Sequence, residues 1–341
     1  MSRIAILGAG SWGTALGVLL ARSRRSHEIQ VWAHDPALAE SMQTDRENRA
    51  YLPGQALPAL LRVRSDMAKV LREAEIVVAA IPSAHAREVY AAAKPSLPGE
   101  SVFVSATKGL EPSSHLRMTE VLGELQVAEH VRGIAVLSGP SFAQEAARGE
   151  PTAVAIASQD EKLAASLQDE FAGPTFRLYS NTDVLGVELA GAMKNVIAIA
   201  AGACHGIGLG SNSLAALITR GLAEMIRLAV ALGARPATLS GLAGLGDLVL
   251  TCTGGLSRNR YVGIELAKGR EIDDILDSMR MVAEGVGTAG ALLQLAREAG
   301  IEMPITEQVN AILHEGKSPQ DAIRDIMERP QKREAAPSLP R

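Results

Sequence analysis

Two lysines stand where an amine would have unusual chemistry. Only eight of the 34 Lys and Arg residues are lysines. Lys194 lies inside the apolar sequence 189–197, where burial would lower the pKa of an amine from about 10.4 and let it donate or accept a proton near neutral pH, which a guanidinium does not do. Lys108 follows a predicted strand at 102–105. The alternatives are a snorkelling Lys194 on an exposed helix stripe and an ordinary surface position for Lys108.

A glycine motif opens the chain. Gly8, Gly10 and Gly13 form a GxGxxG with Ser11 and Trp12, directly after a predicted strand at 3–7 and before a predicted helix at 13–22. Glycines in this context allow a tight turn and let the backbone approach a pyrophosphate at the N-terminus of the helix. The motif therefore predicts a dinucleotide site.

The end of the second predicted strand, 29–33, bears on the adenosine half of that dinucleotide. Asp35 is positioned to bind the ribose hydroxyls of NAD, but it is followed by Pro36 and is equally suited to cap a helix. His34 could instead face the adenosine or a 2′-phosphate of NADP. The sequence leaves both alternatives, and the choice between NAD and NADP, open.

Two further loops have the composition of anion sites. The segment 138–143 is a strand end, a glycine turn and a new helix, with an ordinary turn capped by Ser141 as the alternative. The segment 241–251 and the sequence Ser257-Arg258-Asn259-Arg260 combine glycines, hydroxyls, an amide and guanidinium groups that suit a phosphate. Here the alternative is a glycine-rich connection followed by a helix capped by Ser257. The segment 206–210 is interpreted as a helix–helix linker, because no strand precedes it.

The secondary-structure pattern that must position these residues changes once along the chain. Strands predicted at 3–7, 29–33, 76–81, 102–105, 134–138, 152–157 and 175–179 alternate with helices such as 13–22, 36–42, 84–93 and 141–148. Later runs at 184–203, 213–232, 260–268, 288–299 and 305–314 have helical periodicity. We predict an α/β fold with an N-terminal Rossmann-type, doubly wound, mostly parallel sheet and an all-α C-terminal domain. The predicted boundaries are 1–182, 183–327 and a polar, disordered tail at 328–341.

Length and composition limit the classes of function. The 341 residues suit two domains, and hydrophobic residues make up 47% of the chain. The net charge of −4 argues against nucleic acid and anionic membranes as partners. Two cysteines and scattered histidines give no disulfide framework and no metal-ligand spacing. The uncharged run 195–219 is interrupted by glycines and polar residues, so we expect no membrane span and a cytoplasmic location.

Together these blocks resemble bacterial NAD(P)-dependent glycerol-3-phosphate dehydrogenase. The likeness spans residues 3 to about 327 and rests on the glycine motif, on 106–111, 138–143 and 194–195, and on 217–225 and 241–260, in the same order. Trp12 stands where many members have Tyr or Phe. The resemblance implies reversible reduction of dihydroxyacetone phosphate by NAD(P)H to sn-glycerol 3-phosphate, a precursor of glycerophospholipids, and a homodimer formed through the helical domain.

The resemblance also implies roles for individual residues. Lys194 is the predicted proton donor and acceptor. The chemistry of the residues agrees, since the charge of Lys108 would lower the pKa of Lys194 and Asp247 would orient Lys194. The predicted substrate-binding residues are Lys108, Gly139, Ser141, Lys194, Asn195, Asp247, Thr251, Ser257, Arg258 and Asn259. The predicted cofactor-binding residues are Gly8, Gly10, Ser11, Trp12, Gly13, His34, Lys108, Ala143, Arg258, Val282 and Glu284. No metal is expected.

Two rival functions fit a similar chain. A hydroxyacid or phosphogluconate dehydrogenase would also place a Rossmann domain before a helical one, but it would need a carboxylate-binding loop in place of the phosphate-type loop at 257–260. A non-catalytic nucleotide sensor would have no need of Lys108 and Lys194.

Overall fold

The structure is a computed structural model that describes residues 2–331 and Glu334. Of the tail predicted at 328–341, residues 332, 333 and 335–341 lie outside the described part of the chain. The strands are β1 (Ser2–Leu7), β2 (His27–Trp32), β3 (Glu47–Asn48), β4 (Leu52–Ala56), β5 (Leu61–Arg64), β6 (Ile76–Ala79), β7 (Val102–Ser105), β8 (Gly133–Ser138), β9 (Thr152–Ala157) and β10 (Phe176–Asn181).

The helices follow the predicted change of pattern. Those among the strands are α1 (Ser11–Ala21), α2 (Pro36–Asp45), α3 (Met67–Leu71), α4 (Ala86–Ala93), α5 (Met118–Glu124), α6 (Ala143–Arg148) and α7 (Glu161–Phe171). Those after β10 are α8 (Val184–Gly206), α9 (Ser211–Ala231), α10 (Pro236–Leu239), α11 (Asp247–Thr253), α12 (Arg258–Ala267), α13 (Ile272–Asp277), α14 (Glu284–Glu298), α15 (Pro304–His314) and α16 (Pro319–Met327).

Eight strands form one sheet in the order β10-β9-β8-β7-β6-β1-β2-β5. Neighbouring strands are parallel except β8 and β9, which are antiparallel. The short strands β3 and β4 pair separately as an antiparallel hairpin. The predicted α/β fold with a mostly parallel sheet and a helical C-terminal part is therefore confirmed.

Three strands were not predicted from the sequence, and the reasons are local. β4 has the sequence LPGQA, whose proline and glycine are typical of turns, and β3 has only two residues. β5 has the sequence LRVR and lies at the edge of the sheet, where every second residue is exposed. Its alternating pattern lacks the continuous apolar run that marks the central strands.

Apolar side chains cover both faces of the sheet. On one face, residues such as Ile6 and Val78 pack with Leu16 of α1, and on the other face Ala5 and Val77 pack with Tyr90 of α4. The central strands β6 and β7 are buried along their whole length. Burial on both faces explains why these strands have no polar alternation.

Helix α8 is the centre of the C-terminal part. It packs against α9, α11, α12 and α14, and most of its residues are buried. It is also the one continuous helix among the described residues that is long and apolar enough to cross a bilayer, but its apolar surface is buried inside the protein. The neighbouring helix α9 begins after residues 207–210, so this glycine segment is the predicted helix–helix linker.

Candidate active site

The glycine motif lies at the point where the strand order of the sheet reverses, because strands are added first on one side of β1 and then on the other. β1 has β2 on one side and β6 on the other, and in such folds ligands bind outside the carboxyl ends of the strands at this position. Gly8 has φ +109° and follows β1, and a Cβ on it would lie 2.6 Å from the carbonyl oxygen of Ala80. A Cβ on Gly13 would lie 1.9 Å from the carbonyl oxygen of Gly8. Only glycine fits at either position.

The surroundings of this turn fit a dinucleotide. Gly10 is the N-cap of α1 and has no side chain with which to satisfy the first N–H groups of the helix, and a Cβ on Gly10 would meet no atom within 4 Å. Open space at a helix N-terminus is suited to a pyrophosphate. The indole Nε1 of Trp12 is buried and has no hydrogen-bond partner within the described residues.

Two residues that the sequence did not reveal hold this turn in place. Asn48 Nδ2 donates to the carbonyl oxygen of Ala9 and to Thr14 Oγ1, each at 2.8 Å. Ser11 Oγ donates to the carbonyl oxygen of Tyr51 at 2.8 Å. Asn48 and Tyr51 belong to the β3–β4 hairpin, whose pairing was not predicted. No signal in the sequence distinguishes Asn48, and its burial is visible only in the structure.

His34 and Asp35 lie at the end of β2. The Asp35 carboxylate accepts a hydrogen bond from the Ala37 amide at 2.9 Å, so it caps α2, as the second interpretation of the sequence held. The exposed ring of His34 packs edge-on against Trp32, with 5.7 Å between ring centroids. Neither contact connects these residues to the lysines.

The two lysines meet at one carboxylate. Lys108 Nζ lies 2.8 Å from Asp247 Oδ2, and Lys194 Nζ lies 3.1 Å from Asp247 Oδ1. Lys194 also donates to Thr251 Oγ1 at 2.9 Å. Lys194 is 7% exposed, so its position on an exposed helix stripe, the alternative in the sequence analysis, is wrong.

The segment predicted as a glycine-rich loop at 241–251 is largely helical, which corrects that interpretation. Residues Leu242–Gly246 form a π-helical turn that runs directly into α11. Asp247 at the start of α11 and Thr251 one turn later are both buried and face Lys194. A π-helical turn of this kind is frequent at functional sites.

The electrostatics of the cluster follow from burial. Burial lowers the pKa of Lys194 to about 8, the Asp247 carboxylate opposes this shift, and the positive charges of Lys108 and Arg258 add to it. Burial by itself raises the pKa of Asp247, but Lys108 and Lys194 outweigh burial and hold that pKa below its ordinary value. The site therefore combines an ionised carboxylate with an amine that titrates near neutral pH.

The loop after β8 completes the surroundings of Lys108. Gly139 has φ +144°, a conformation that favours glycine, and its carbonyl oxygen accepts from Lys108 Nζ at 2.7 Å. Ser141 Oγ lies 3.3 Å from the same nitrogen. α6 begins at Ala143 with Phe142 at the N-cap, so the alternative that Ser141 caps this helix is wrong.

A chain of amides joins Lys108 to the C-terminal helices. Asn195 Nδ2 lies 3.4 Å from the carbonyl oxygen of Lys108, and Asn259 Nδ2 donates to Asn195 Oδ1 at 2.9 Å. The amide of Gly285 donates to Asn259 Oδ1 at 2.9 Å. Ser257 caps α12, as its alternative interpretation held, by accepting from the Arg260 amide. Arg258, at the start of α12, is exposed.

The first residue of α14 and the segment before it contact the N-terminal part of the chain. Glu284 accepts from the amide and the hydroxyl of Ser83, and Met281 Sδ lies 2.9 Å from Ser11 Oγ. Burial raises the pKa of the Glu284 carboxyl. Val282, between them, is 42% exposed. Ser83 was not predicted, because nothing in its local sequence distinguishes it.

A Rossmann sheet, a glycine turn with open space in front of it, and a buried lysine–carboxylate cluster define the chain as a dinucleotide-dependent dehydrogenase. Family models for the N-terminus and the C-terminus of NAD-dependent glycerol-3-phosphate dehydrogenase match residues 3–164 and 183–324. The chain belongs to the NAD-dependent glycerol-3-phosphate dehydrogenase family.

Individual relatives match along almost their whole length. The chain is 54% identical to glycerol-3-phosphate dehydrogenase (NAD(P)+) of Koribacter versatilis over 331 residues, which are 97% of this chain and 98% of that protein. It is 52% identical to the enzyme of the same name from Acidobacterium capsulatum over 335 residues, 97% and 99% of the two chains. The crystal structure of glycerol-3-phosphate dehydrogenase from Coxiella burnetii has a TM-score of 0.90 at 41% identity and covers 96% of this chain and 99% of that chain.

Proposed function

We propose that the cluster around Asp247 is the catalytic centre for reversible reduction of dihydroxyacetone phosphate to sn-glycerol 3-phosphate, with NAD(P)H as the cofactor. The reaction provides the backbone of glycerophospholipids. Family membership supports the reaction, and the hydrogen bonds of Lys194 support the place. This reaction class distinguishes the protein from the hydroxyacid and phosphogluconate dehydrogenases and from a nucleotide sensor.

Lys194 is the proposed proton donor. Bound NAD(P)H supplies a hydride to the ketone carbon, which leaves negative charge on the ketone oxygen. Among the described residues, the Lys194 ammonium donates to Asp247 and Thr251, so one of its three N–H groups is available for that oxygen. A positioned acid of this kind contributes roughly 10²–10⁴ to the rate.

We assign Lys108 a different role from Lys194, because its ammonium is engaged by groups of the site while its positive charge still acts on a bound ligand. Its ammonium has acceptors in the Gly139 carbonyl, the Ser141 hydroxyl and the Asp247 carboxylate. We assign to it the stabilisation of developing negative charge and the lowering of the Lys194 pKa.

Two groups of residues, which share Lys108 and Arg258, would hold the two ligands. For the cofactor these lie in the glycine turn, at the end of β2, in the loop after β7, at the starts of α6 and α12, and at and just before the start of α14: Gly8, Gly10, Ser11, Trp12, Gly13, His34, Lys108, Ala143, Arg258, Val282 and Glu284. For the substrate they are Lys108, Gly139, Ser141, Lys194, Asn195, Asp247, Thr251, Ser257, Arg258 and Asn259. The guanidinium of Arg258 suits the phosphate of the substrate, because its planar fork matches phosphate oxygens.

We further propose the division into a dinucleotide-binding domain at 1–182 and a catalytic domain at 183–327, since the last strand ends at Asn181 and only helices and connecting segments follow it in the described part of the chain. A homodimer in the cytoplasm is proposed on the resemblance to the family. Exposed apolar side chains in the C-terminal part, such as Leu245, Val249 and Tyr261, support a contact there. Sedimentation equilibrium would test the dimer.

Initial-rate kinetics test the reaction. Oxidation of NADH and of NADPH is followed at 340 nm with dihydroxyacetone phosphate, and with 2-oxo and 3-oxo acids in parallel. We expect turnover with dihydroxyacetone phosphate and a much lower kcat/KM with the acids. Preference for an oxo acid, or absence of turnover with both cofactors, would refute the proposal.

A further inference from the structure

We propose that Glu188 is a positioning residue: it holds the Lys108 loop, residues 106–117, against α8 and thereby sets where the Lys108 ammonium meets Asp247. The inference rests on the function proposed above. Glu188 lies six residues before Lys194 on the same helix and touches neither of the two lysines in the structure's hydrogen bonds and ion pairs.

The Glu188 carboxylate binds Arg117, the last residue of the Lys108 loop, and Thr119, which follows it in α5. It is 7% exposed and accepts from Arg117 Nη1 at 2.7 Å, from the Thr119 amide at 2.9 Å and from Thr119 Oγ1 at 2.6 Å. Arg117 closes the loop by pairing with Leu110 across a β-bridge. A buried carboxylate with three short hydrogen bonds, one of them from a guanidinium, is a strong attachment.

The near end of the loop is attached to the same helix, but weakly. Asn195 Nδ2 lies 3.4 Å from the carbonyl oxygen of Lys108, a long distance for a hydrogen bond. Glu188 and Asn195 are seven residues apart, close to two helical turns, and therefore share one face of α8. Loss of the strong attachment would leave the loop joined to α8 by its weak one.

A further attachment of the loop lies on the side of the sheet and does not fix the loop relative to α8. Glu111 accepts from Arg87 Nε and Nη2, each at 2.8 Å, and Arg87 belongs to α4 beside the sheet. This pair holds the loop within the N-terminal part of the chain. Because Lys194 lies on α8 and Lys108 lies on the loop, Glu188 adds an attachment between these two elements to the direct bridge that the Asp247 carboxylate makes between the lysines.

The chain contains a matched control. Glu224 on α9 is 1% exposed, and it also accepts three hydrogen bonds at the start of a helix, from the amides of Ile305 and Thr306 and from Thr306 Oγ1, at 2.8 to 3.0 Å. None of these partners belongs to the Lys108 loop. Glu224→Gln therefore reproduces the loss of a buried carboxylate without disturbing the lysines.

The experiment compares Glu188→Gln with Glu224→Gln in the full chain. We expect both variants to lose thermal stability, but only Glu188→Gln to lose kcat for dihydroxyacetone phosphate, by roughly 10–100-fold, because small misplacements at an active site have effects of this size. KM for NAD(P)H should change by a smaller factor than kcat, because Lys108 is one of eleven proposed cofactor residues and Glu188 contacts none of the others. Hydrogen exchange of residues 106–117 should increase in Glu188→Gln alone.

The pH profile separates a positioning role from a structural one. Lys108 lowers the Lys194 pKa, as Arg258 does, while Asp247 raises it. In Glu188→Gln, displacement of Lys108 should therefore raise the Lys194 pKa, and the decline of kcat for reduction with rising pH should shift to higher pH. In Glu224→Gln this decline should stay at its wild-type pH.

Two results would overturn the inference: equal loss of kcat in both glutamine variants, or an unmoved pH limb with unchanged exchange of the Lys108 loop. If Glu188→Gln does not fold, Thr119→Val, which removes one hydrogen bond and keeps the ion pair, is judged by the same measurements. Inactivity of the wild-type enzyme with dihydroxyacetone phosphate would instead refute the proposed function, while hydrogen exchange would still test the attachment.

Discussion

The hydroxyl of Thr251 can act only as an acceptor toward Lys194. Its oxygen lies 2.9 Å from Lys194 Nζ, and its own proton is donated to the carbonyl oxygen of Asp247 at 2.6 Å. A hydroxyl with its proton committed favours the protonated amine, whereas burial disfavours it. Thr251 and Asp247 thus keep a charged amine in a buried place where it can release its proton.

Replacement of Lys194 by arginine should separate binding from proton transfer. Lys194→Arg keeps a positive charge, so we expect KM for dihydroxyacetone phosphate to change little. Because a guanidinium does not release a proton near neutral pH, kcat should fall by roughly 10²-fold or more. Steady-state kinetics at pH 7.5 measure both quantities, and turnover near that of the wild type would remove Lys194 from its proposed role.

In the wild-type enzyme, kcat for reduction and kcat for oxidation should depend on pH in opposite senses. Reduction needs the protonated amine, so kcat for dihydroxyacetone phosphate should fall as the pH rises through the Lys194 pKa of about 8. Oxidation of glycerol 3-phosphate needs the neutral amine, so its kcat should rise through the same range. Profiles from pH 6 to 10 in both directions check this, and limbs of the same sign would contradict a single acid–base group.

Removal of the shared carboxylate should move that limb. In Asp247→Asn the Lys194 pKa loses the group that raises it, so the amine is neutral at a lower pH and reduction should decline earlier on the pH scale. We expect kcat at pH 7.5 to fall by roughly 10²-fold. Glu265→Gln is the control, since Glu265 also binds two cations, Lys268 and Arg270, but on the far end of α12. An unmoved limb in Asp247→Asn would show that Asp247 does not act on Lys194.

Sequence patterns predicted the scaffold well because its signals are local. The continuous apolar strands and the helical periodicity after Asn181 are properties of neighbouring residues, and the structure has the predicted mostly parallel sheet followed by helices. Lys194 was conspicuous for the same reason, as a charge inside an apolar run.

The contacts that were missed join residues far apart in the chain. Asn48 forms a hydrogen bond with the Ala9 carbonyl, 39 residues away in the sequence, and Ser83 forms hydrogen bonds with Glu284, 201 residues away. No periodicity contains such pairings, since they depend on where whole elements dock. The helical form of 242–253 was missed because five residues of the π-helical turn include two glycines, which favour loops.

Arg258 should affect the substrate more than the cofactor. It begins α12 and the residue is exposed, so we expect Arg258→Ala to fold normally. Loss of a charge-assisted contact to phosphate should raise KM for dihydroxyacetone phosphate roughly tenfold to a hundredfold, with a smaller change in KM for NAD(P)H. Equal increases in both KM values would place Arg258 outside the phosphate site.

Two alanine substitutions should distinguish the shape of the glycine turn from its accessibility. In Gly13→Ala the new methyl would meet the Gly8 carbonyl oxygen at 1.9 Å, so we expect the free energy of unfolding to fall by about 1–3 kcal/mol and NAD(P)H binding to be lost. In Gly10→Ala the methyl meets no protein atom within 4 Å and φ is −71°, so stability should stay near that of the wild type. That methyl would nevertheless occupy the open space in front of α1, and the Kd for NAD(P)H should rise at least tenfold. Thermal melts and fluorescence titrations measure the two effects, and unchanged NAD(P)H binding in Gly10→Ala would show that the pyrophosphate does not lie against this turn.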